Sequence, residues 1–411
     1  MTPPRLSVIV VSRHRPAALL LCLTGLAQSD HPAMEVIVVA DPAACAAVAA
    51  AGWADRLRIL PFDEANIAAA RNHGLAQAAG TVVAFIDDDA VPEPTWASRL
   101  AAPFAHPRVG AAGGFVRGRN GISFQWRALA VDHLGQDHPL EVDPEGVSLH
   151  EGTSTRAVKT QGTNCAFRRA ALLAAGGFDP AFRFYLDEAD VNLRLAGAGH
   201  LTAVVPRAEV IHGFAASARR RADRVPTDLT DIGASTAVFL RRHAPGADHG
   251  PALARLRAEQ RRRLIAHMLA GRLDPGAVAP LLRGLESGIA QGFDRTLAPL
   301  RPLAGAGAAF LPLPGTGPRP GWLVLSAGLR PDPRAEAEAA AARAGGAVVT
   351  LLRLLPGPRR HRLWLRPDGI WEQRGGLWGA SLRSDPALRF WRPADRALRE
   401  AARLEATRPV A

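Results

Sequence analysis

The 411-residue sequence has few cysteines, a single lysine and no long apolar run. Its three cysteines, Cys22, Cys45 and Cys165, include no CxxC pair, which argues against a disulfide framework and against a thiolate metal site. No apolar stretch approaches the roughly 18 residues that a membrane-spanning helix needs. Residues 1–6 also lack the basic and apolar regions of a signal peptide. These absences predict a cytoplasmic protein.

The composition is that of a globular protein with an uneven distribution of charge. Hydrophobic residues make up 48% of the chain and charged residues 21%, and the length suits two or three domains. Residues 1–215 carry 18 basic against 21 acidic side chains, whereas residues 216–411 carry 32 against 17. The net charge of +12 therefore comes from the C-terminal half. Because Lys159 is the only lysine, we interpret part of the arginine excess as a GC-rich coding bias.

Residues 6–201 alternate short apolar runs with amphipathic stretches, which is typical of a parallel sheet covered by helices on both faces. The pattern predicts strands at residues 6–11, 34–39, 58–60 and 82–86, and helices at residues 15–27 and 66–78. In such sheets, ligands bind beyond the carboxyl ends of the strands. Ser12, Asp41 and residues 87–89 all follow predicted strands, so we expect them to line one crevice.

The C-terminal half divides into three predicted segments. Residues 216–300 are rich in arginine and have helical periodicity, notably at 251–270 and 274–287. Residues 301–321 are dense in proline and glycine and predict a linker. Residues 322–411 predict a small α/β unit of unknown role, with strands at 322–327 and 347–355, a helix at 333–344 and two short strands within 362–378. Five of the eight tryptophans lie in this unit, and we interpret them as its core.

Three adjacent carboxylates, Asp87, Asp88 and Asp89, follow the buried strand that ends at Ile86. They repel one another, and a cation or a bound phosphate-metal complex relieves that repulsion. Oxygen ligands of this kind suit Mg²⁺ or Mn²⁺. The residues therefore predict a metal-diphosphate site, and the alternative is a solvated acidic turn.

Five blocks in a fixed order carry a resemblance to a known family. They are NIAAARNHGLAQAAG (66–80) with FIDDDAVP (85–92), QGTNCAFRR (161–169), GGFD (176–179), DEADVNLRL (187–195) and VIH (210–212). Their order and spacing resemble those of family 2 glycosyltransferases with the GT-A fold, over roughly residues 6–215. The resemblance implies a Rossmann-like, mainly parallel α/β sheet with helices on both faces in residues 1–215, ahead of the three C-terminal segments.

The resemblance also implies an activity. It is the inverting transfer of a sugar from a nucleotide-diphosphate sugar to a hydroxyl of a saccharide or lipid-linked acceptor, in cell-surface polysaccharide or glycolipid synthesis. The implied nucleotide-sugar-binding residues are Ser12, Asp41, Arg71, Asp87 and Asp88. Asp87 would lie near the ribose, and Asp41 and Arg71 beside the base. The donor sugar, the nucleotide and the acceptor are not encoded in any pattern that we recognise.

The metal ligands implied by the resemblance are Asp89 and His212. A divalent cation, Mn²⁺ or Mg²⁺, would bridge the diphosphate oxygens and stabilise the charge of the leaving group. His212 follows the strand-like residues 209–211, where the family often has a metal-binding histidine. The alternative is a structural histidine.

The candidate bases lie where Asp187, Glu188 and Asp190 open a predicted helix. An inverting transfer needs a base that takes the proton of the acceptor hydroxyl. Family members usually have Glu-Asp-x-Asp here with the second residue as base, which corresponds to Glu188, although this chain has the first two acids exchanged. Asp190 is the rival candidate, and carboxylates that merely complement the helix dipole are the alternative.

The basic C-terminal half admits two interpretations. The helix predicted at 251–270 interleaves arginines with leucines and could lie on an anionic membrane surface, which would make the protein peripheral to the inner face of the membrane. Alternatively its apolar stripe packs on the domain and its arginines are solvated. Nucleic-acid binding is disfavoured because no recognised module accompanies the charge.

Two rival functions remain open from the sequence. The segment VAFIDDDAV (83–91) also matches the start of haloacid-dehalogenase phosphatases, with Asp87 as nucleophile and with Lys159 and Asp187 or Asp190 as later motif residues. The Ala-Arg-Asn block and the two strand-helix units upstream of it disfavour this function. The other rival is a catalytically silent nucleotide-sugar-binding module. The intact carboxylates at 87–89 and 187–190 disfavour it.

Overall fold

The computed structural model describes residues 2–305, 307–330 and 332–409. The strands are β1 (Leu6–Ser12), β2 (Met34–Ala40), β3 (Arg58–Pro61), β4 (Val82–Asp87), β5 (Ala90–Pro92), β6 (Val109–Arg117), β7 (Phe124–Trp126), β8 (Leu129–Asp132), β9 (Asp137–Pro139), β10 (Ser148–His150), β11 (Arg156–Val158), β12 (Asn164–Arg168), β13 (Leu201–His212), β14 (Gly321–Ala327), β15 (Val348–Leu355), β16 (Arg362–Leu365) and β17 (Trp371–Gly376).

The helices are α1 (Pro16–Leu26), α2 (Pro42–Val48), α3 (Ile67–Gln77), α4 (Trp96–Ala101), α5 (Arg169–Ala174), α6 (Asp187–Gly197), α7 (Thr230–His243), α8 (Gly250–Leu269), α9 (Pro275–Asp294), α10 (Pro333–Ala344) and α11 (Pro393–Leu404). A π-helical turn (Ala49–Trp53) follows α2, and a 3-10 turn (Ala102–Ala105) follows α4. Among the described residues, no helix is both long and apolar enough to cross a membrane.

A ten-stranded mixed sheet forms the N-terminal half, with the main strand order β10-β13-β6-β12-β4-β1-β2-β3. Neighbours β3, β2, β1 and β4 are all parallel. Val8 and Val10 point to the face covered by α1, α2 and α4, whereas Ile9 points to the face covered by α3, α5 and α6. Burial on both faces explains why these strands are continuous apolar runs. The predicted parallel α/β core is confirmed.

The sheet departs from a purely parallel arrangement at β12, which runs antiparallel between β4 and β6. A tight turn from Gln161 to Asn164 reverses the chain just before this strand. The buried Asn164 side chain then donates to Phe115 O (3.0 Å) and Ala208 O (2.8 Å) on the neighbouring segments. These contacts with segments distant in sequence fix the direction of β12.

Helices α7, α8 and α9 form the arginine-rich region predicted at 216–300. Glycines let α7 and α9 approach closely, since a Cβ on Gly288 would lie 2.0 Å from Thr230 O and one on Gly292 would lie 2.3 Å from Ala234 O. The leucines of α8 that face this pair are buried, namely Leu253, Leu256 and Leu264. Packing on the other helices thus accounts for the apolar stripe of α8.

The proline- and glycine-rich segment 301–321, predicted as a linker, is bound along the N-terminal domain. Its backbone donates from Leu313 N to Met34 O (2.7 Å) and from Leu303 N to Leu173 O (2.9 Å). Leu311 N also donates to the buried Glu35 carboxylate, at 3.0 Å from Oε2. The segment therefore fixes the path by which the chain reaches its last unit.

The C-terminal unit is a four-stranded sheet in the order β14-β15-β17-β16, with α10 packed on one face. It docks on the N-terminal domain through a shared apolar cluster that includes Val91, Ile211 and Leu363. Trp371 is completely buried and donates to Gln28 of the N-terminal domain, whereas Trp322 is 46% exposed. The prediction that the tryptophans form the core of this unit is therefore only partly right.

Arg408 anchors the end of the chain on the N-terminal domain. Its guanidinium donates to both carboxylate oxygens of Glu93 at 2.6–2.9 Å, and both side chains are almost fully buried. The same guanidinium lies 3.9 Å from the centre of the Trp371 ring. A buried ion pair of this geometry holds the C-terminal unit in one position on the domain.

Candidate functional site

A cavity of ≈ 510 Å³ opens beyond the carboxyl ends of β1 and β4. Its walls combine strand ends with the first turns of α3 and α6, the end of β13 and the loop before α7. The predicted site residues that line it are Ser12, Arg71, Asp87, Asp89, Glu188 and His212. Asp41, Asp88 and Asp190 are buried behind its surface and do not line it.

Asp87, Asp89 and His212 form a candidate metal centre at the floor of the cavity. One ligand atom from each of the three lies within 4.8 Å of the others. The centre is assembled where β5 returns the chain beside β13, since Ala90 pairs with His212 in the antiparallel ladder. Two carboxylates and one imidazole are a donor set that suits Mn²⁺ or Mg²⁺.

The hydrogen bonds of His212 support the fit of a cation. Its Nδ1 lies 3.1 Å from Gln125 Oε1, and because an amide oxygen can only accept, Nδ1 carries the proton in the neutral ring. The lone pair of Nε2 then faces Asp89 Oδ1 at 3.2 Å, and this buried nitrogen has no hydrogen-bond partner among the described residues. Two electron-rich atoms face each other there, which a cation between them would stabilise.

The surroundings of Asp89 strongly favour the ionised form of its carboxyl group. Burial alone would raise the pKa of its carboxyl, but the neighbouring His212, the charge of Arg15 and the backbone N–H of Ala215 hold that pKa well below its usual range. Arg15 Nη1 and Arg220 Nη2 lie 3.3 and 3.5 Å from Asp89 Oδ2. Asp89 is therefore an ionised carboxylate surrounded by cationic groups.

Asp88 is completely buried and does not line the cavity. It accepts from Ser12 Oγ at 2.7 Å and pairs with Arg15 at 2.5 Å. Burial and the negative charges of Asp89 and Asp87 raise the pKa of Asp88 to about 7, although the positive charge of Arg15 opposes this shift. Asp88 thus contacts Ser12 and Arg15, and its predicted part in binding the nucleotide sugar stays a prediction.

Arg71 lies at the centre of a second group of contacts. This buried side chain of α3 pairs with Asp187 and lies 3.7 Å from Asp87 Oδ1, and it donates to Gly162 O at 3.2 Å. Asp87 Oδ2 also accepts from Thr163 Oγ1 at 2.6 Å. Arg71 thereby links the carboxylates of β4 to the start of α6.

Glu188 and Asp190, the two candidate bases, have different environments. Glu188 is half-buried and lines the cavity, and burial together with the charge of Asp187 raises its pKa to about 8. Asp190 is fully buried and is bound by Arg194 (2.6 Å) and His243 Nε2 (3.0 Å). Burial would raise the pKa of Asp190, but these two partners lower it. Only Glu188 is placed to reach a substrate in the cavity.

The entry to α6 has an unusual backbone. Tyr185 and Leu186 have φ angles of +74° and +65°, which non-glycine residues rarely adopt. The Leu186 side chain is buried in an apolar cluster with Phe182 and Phe239, which holds this conformation in place. Such local strain is concentrated at functional sites, and here it aims the first turn of α6 into the cavity.

The Asp41 side chain accepts hydrogen bonds from backbone N–H groups. Its carboxylate caps α2 by accepting from Ala44 N at 3.2 Å and accepts from His14 N at 2.7 Å. Burial would raise its pKa, but these backbone donors lower it. Asp41 therefore fixes the loop that follows β1, and its predicted contact with a base stays a prediction.

Several residues that line the cavity were not predicted as site residues. They are Lys159, Tyr185, Arg219, Arg220 and Arg263, together with Trp126 beside His212. Lys159 donates to Asp137 at 2.7 Å. Burial would lower the pKa of Lys159, but the charges of Tyr185 and Asp137 outweigh this effect and raise that pKa. Lys159 and Tyr185 are the only residues of their types in the chain, which was the available signal. The three arginines gave no such signal, because arginine is abundant in the C-terminal half of the sequence.

A sequence model described as "Glycosyltransferase like family 2" matches residues 3–224, more than half of the chain. No curated protein matches the sequence.

Several solved structures are similar to this chain at low sequence identity. The mannosyltransferase PcManGT from Pyrobaculum calidifontis, in complex with GDP-Man and Mn²⁺, is 17% identical over 72% of this chain and 88% of that one, with a TM-score of 0.43. GalNAc-T7 with UDP, GalNAc and Mn²⁺ is 15% identical over 60% and 52%, with a TM-score of 0.43. TarS 1-349 from S. aureus is 18% identical over 60% and 68%, with a TM-score of 0.38.

Proposed function

Because the chain belongs to glycosyltransferase-like family 2 and has a fold of the GT-A type, we propose that it is a metal-dependent, inverting glycosyltransferase. It would move one sugar from a nucleotide-diphosphate sugar to a hydroxyl of a saccharide or lipid-linked acceptor. One observation carries the proposal: the Asp87, Asp89 and His212 cluster shares a cavity with Glu188, a carboxyl group whose pKa is raised to about 8.

The donor side of the cavity suits a departing diphosphate. A divalent cation held by Asp87, Asp89 and His212 would neutralise charge on the diphosphate oxygens. Arg15 and Arg220, which contact Asp89, would pair with the same oxygens. Asp88 pairs with Arg15 and accepts a hydrogen bond from Ser12 Oγ. These groups favour the charge that develops as the bond between the anomeric carbon and the diphosphate breaks.

The acceptor side is built around Glu188. Its carboxylate would take the proton of the acceptor hydroxyl while that oxygen forms the new bond to the anomeric carbon, opposite the departing diphosphate. A pKa of about 8 keeps this base close to a working pH, so that it can both accept the proton and later release it. Arg71 fixes the neighbouring Asp187 and so limits the positions that Glu188 can take.

Calorimetry with nucleoside diphosphates, with and without Mn²⁺, tests the donor half of the proposal. We expect binding that depends on Mn²⁺, and we expect Asp89→Ala to abolish that dependence because it removes a ligand. Asp55→Ala, which replaces an exposed aspartate outside the cavity, is the matched control. If no nucleoside diphosphate binds in a metal-dependent way, the proposed donor site is wrong.

A panel of sugar nucleotides then separates an enzyme from a silent binding module. An enzyme releases nucleoside diphosphate from one of these donors, slowly to water and faster with acceptor. A silent module binds but releases none. Hydrolysis of a phosphomonoester that is lost in Asp87→Asn, without sugar-nucleotide binding, would instead identify a phosphatase.

A further inference from the structure

A second cavity, of ≈ 360 Å³, lies where three parts of the chain meet. It is separate from the cavity described above and shares no lining residue with it. The three parts are the N-terminal domain, through the end of α1 and the turn after α2, the segment 314–319, and the C-terminal unit. The lining residues are Thr24, Ala27, Trp53, Arg56, Pro314, Gly315, Arg319, Arg343, Pro367 and Asp368.

The charges on this cavity are unbalanced. Arg56, Arg319 and Arg343 line it, one from each of the three parts. Within the described ranges, none of the three forms an ion pair with a carboxylate. The single acidic residue of the lining, Asp368, is already paired with Arg366 at 2.6 Å. Three guanidinium groups therefore face one space without a compensating negative charge.

Two of these arginines are held in place by other contacts. The Arg56 guanidinium stacks over Trp53, 4.4 Å from the ring centre, and donates to Pro314 O at 3.3 Å. Arg319 donates to Gly315 O on the same segment. Donors that are fixed in advance lose less conformational entropy when a ligand binds.

Arg343 has an unsatisfied donor. Its Nε is buried and has no hydrogen-bond partner among residues 2–305, 307–330 and 332–409. The backbone of Gly369 packs against it, since a Cβ at Gly369 would lie 2.7 Å from that nitrogen. A buried donor without a partner costs free energy.

The proximity of the three charges is itself unfavourable. Burial lowers the pKa of Arg319, and the charges of Arg343 and Arg56 lower it further. Several planar guanidinium groups that point into one space are a common arrangement for binding phosphate, because a phosphate accepts hydrogen bonds from them and neutralises their repulsion.

We propose that this cavity binds a phosphate-bearing anion through Arg56, Arg319 and Arg343. Three positive charges match a doubly charged phosphate ester, and the volume leaves space for a small organic group beside the phosphate. The bound anion would join the N-terminal domain to the C-terminal unit, because the arginines come from both. The proposal does not depend on the proposed transferase activity. A free phosphate ester and a phospholipid headgroup share the required chemistry.

The test is calorimetry of the full chain with inorganic pyrophosphate in the presence of a metal chelator. We expect binding that Arg319→Gln/Arg343→Gln weakens about tenfold to a hundredfold, since each arginine supplies a charge-assisted hydrogen bond. Arg334→Gln replaces an exposed arginine on the same helix as Arg343 and should leave affinity unchanged.

Hydrogen exchange locates the bound anion and covers the case in which the double variant misfolds. Protection by pyrophosphate should appear at residues 314–319 and 343–346, and the single variant Arg56→Gln should reduce it. Protection confined to the first cavity, or equal affinity of the folded double variant and the wild type, would overturn the proposal, as would no binding at all. Sedimentation with phosphatidylcholine vesicles, with and without phosphatidic acid, distinguishes the sources. Arginine-dependent binding to the acidic vesicles identifies a lipid headgroup, and pyrophosphate binding without it identifies a free phosphate ester.

Discussion

Replacing Glu188 with glutamine is expected to stop turnover and leave donor binding intact. Burial and the charge of Asp187 raise the pKa of Glu188 to about 8. At pH 7, roughly one-tenth of the molecules therefore carry the ionised base, and at pH 9 roughly nine-tenths do. We thus expect the wild-type rate to rise roughly tenfold between these values. Glutamine accepts no proton, so kcat should fall by about 10² to 10⁴, and the remaining rate should not show this rise.

The assay is nucleoside diphosphate release at saturating donor and acceptor, with metal-dependent donor binding measured by calorimetry on the same samples. Glu64→Gln is the matched control, because Glu64 is an exposed glutamate of the same cavity. Full activity of Glu188→Gln would refute the assignment of the base, and a wild-type rate that is flat from pH 7 to pH 9 would contradict the raised pKa. In the first case, the base would have to be sought elsewhere in the cavity.

The same pKa makes a prediction about stability that does not depend on catalysis. The folded-state pKa of about 8 lies above the ordinary value of 4.5, so between these pH values the native state holds a proton that the unfolded state has released. Stability contributed by this group is therefore present below about pH 4.5 and is lost as pH rises through 8. Glutamine does not ionise, so Glu188→Gln does not lose this stability as pH rises. Its Tm should therefore fall less than that of the wild type between pH 6 and pH 9.

Two further variants test the packing. Arg408→Ala leaves the Glu93 carboxylate buried without its partner and should lower the free energy of unfolding by about 3–5 kcal/mol in denaturant titrations. Arg257→Ala breaks an exposed pair with Glu286 and should cost about 1 kcal/mol or less, and equal losses would contradict the argument. Gly114→Ala would place a Cβ 1.9 Å from Ala208 O and should destabilise by at least about 1–3 kcal/mol. Gly118→Ala meets nothing closer than 3.6 Å and should not, so an unchanged Tm for Gly114→Ala would show that β6 and β13 can separate.

Local patterns predicted the parallel half of the sheet well. The strand predicted at 6–11 is Leu6–Ser12, and the strand predicted at 82–86 is Val82–Asp87. Such strands are buried on both faces, so their sequences are continuous apolar runs that can be recognised without tertiary information. The direction of β12 could not be predicted in this way, because the hydrogen bonds of Asn164 to Phe115 and Ala208 depend on strands distant in the chain.

The C-terminal unit shows the same limit. Its strands and its helix α10 were predicted from apolar spacing, but the environment of its tryptophans was not. Trp371 is buried because it meets Gln28 and Arg408, which lie outside its own sheet. Trp322 sits on the edge strand β14 and stays half exposed. Burial of these side chains is decided by docking between units, and periodicity within one unit contains no information about that.

Within the candidate site, sequence blocks located the carboxylates but not their partners. The pairing of Arg71 with Asp187 joins residues 116 positions apart, and it was found only when the fold placed α3 beside α6. Arg219, Arg220 and Arg263 come from the helical extension, where each looked like one solvated arginine among many. A charged side chain can be recognised as part of a site only by what it faces, and that is a property of the fold.

Two of the candidate metal ligands, Asp87 and Asp89, lie on one short piece of chain with Glu93, the docking contact of the C-terminal unit. Asp89 is followed by β5, which pairs with the end of β13 where His212 lies. Glu93 comes directly after β5, and its backbone N–H donates to Glu209 O at 3.0 Å. Its side chain forms the buried ion pair with Arg408. Residues 89–93 are therefore fixed between the strand that carries the histidine ligand and the last turn of the chain. The C-terminal unit thus supports the distance between Asp89 and His212, because any shift of this segment would have to break a fully buried ion pair.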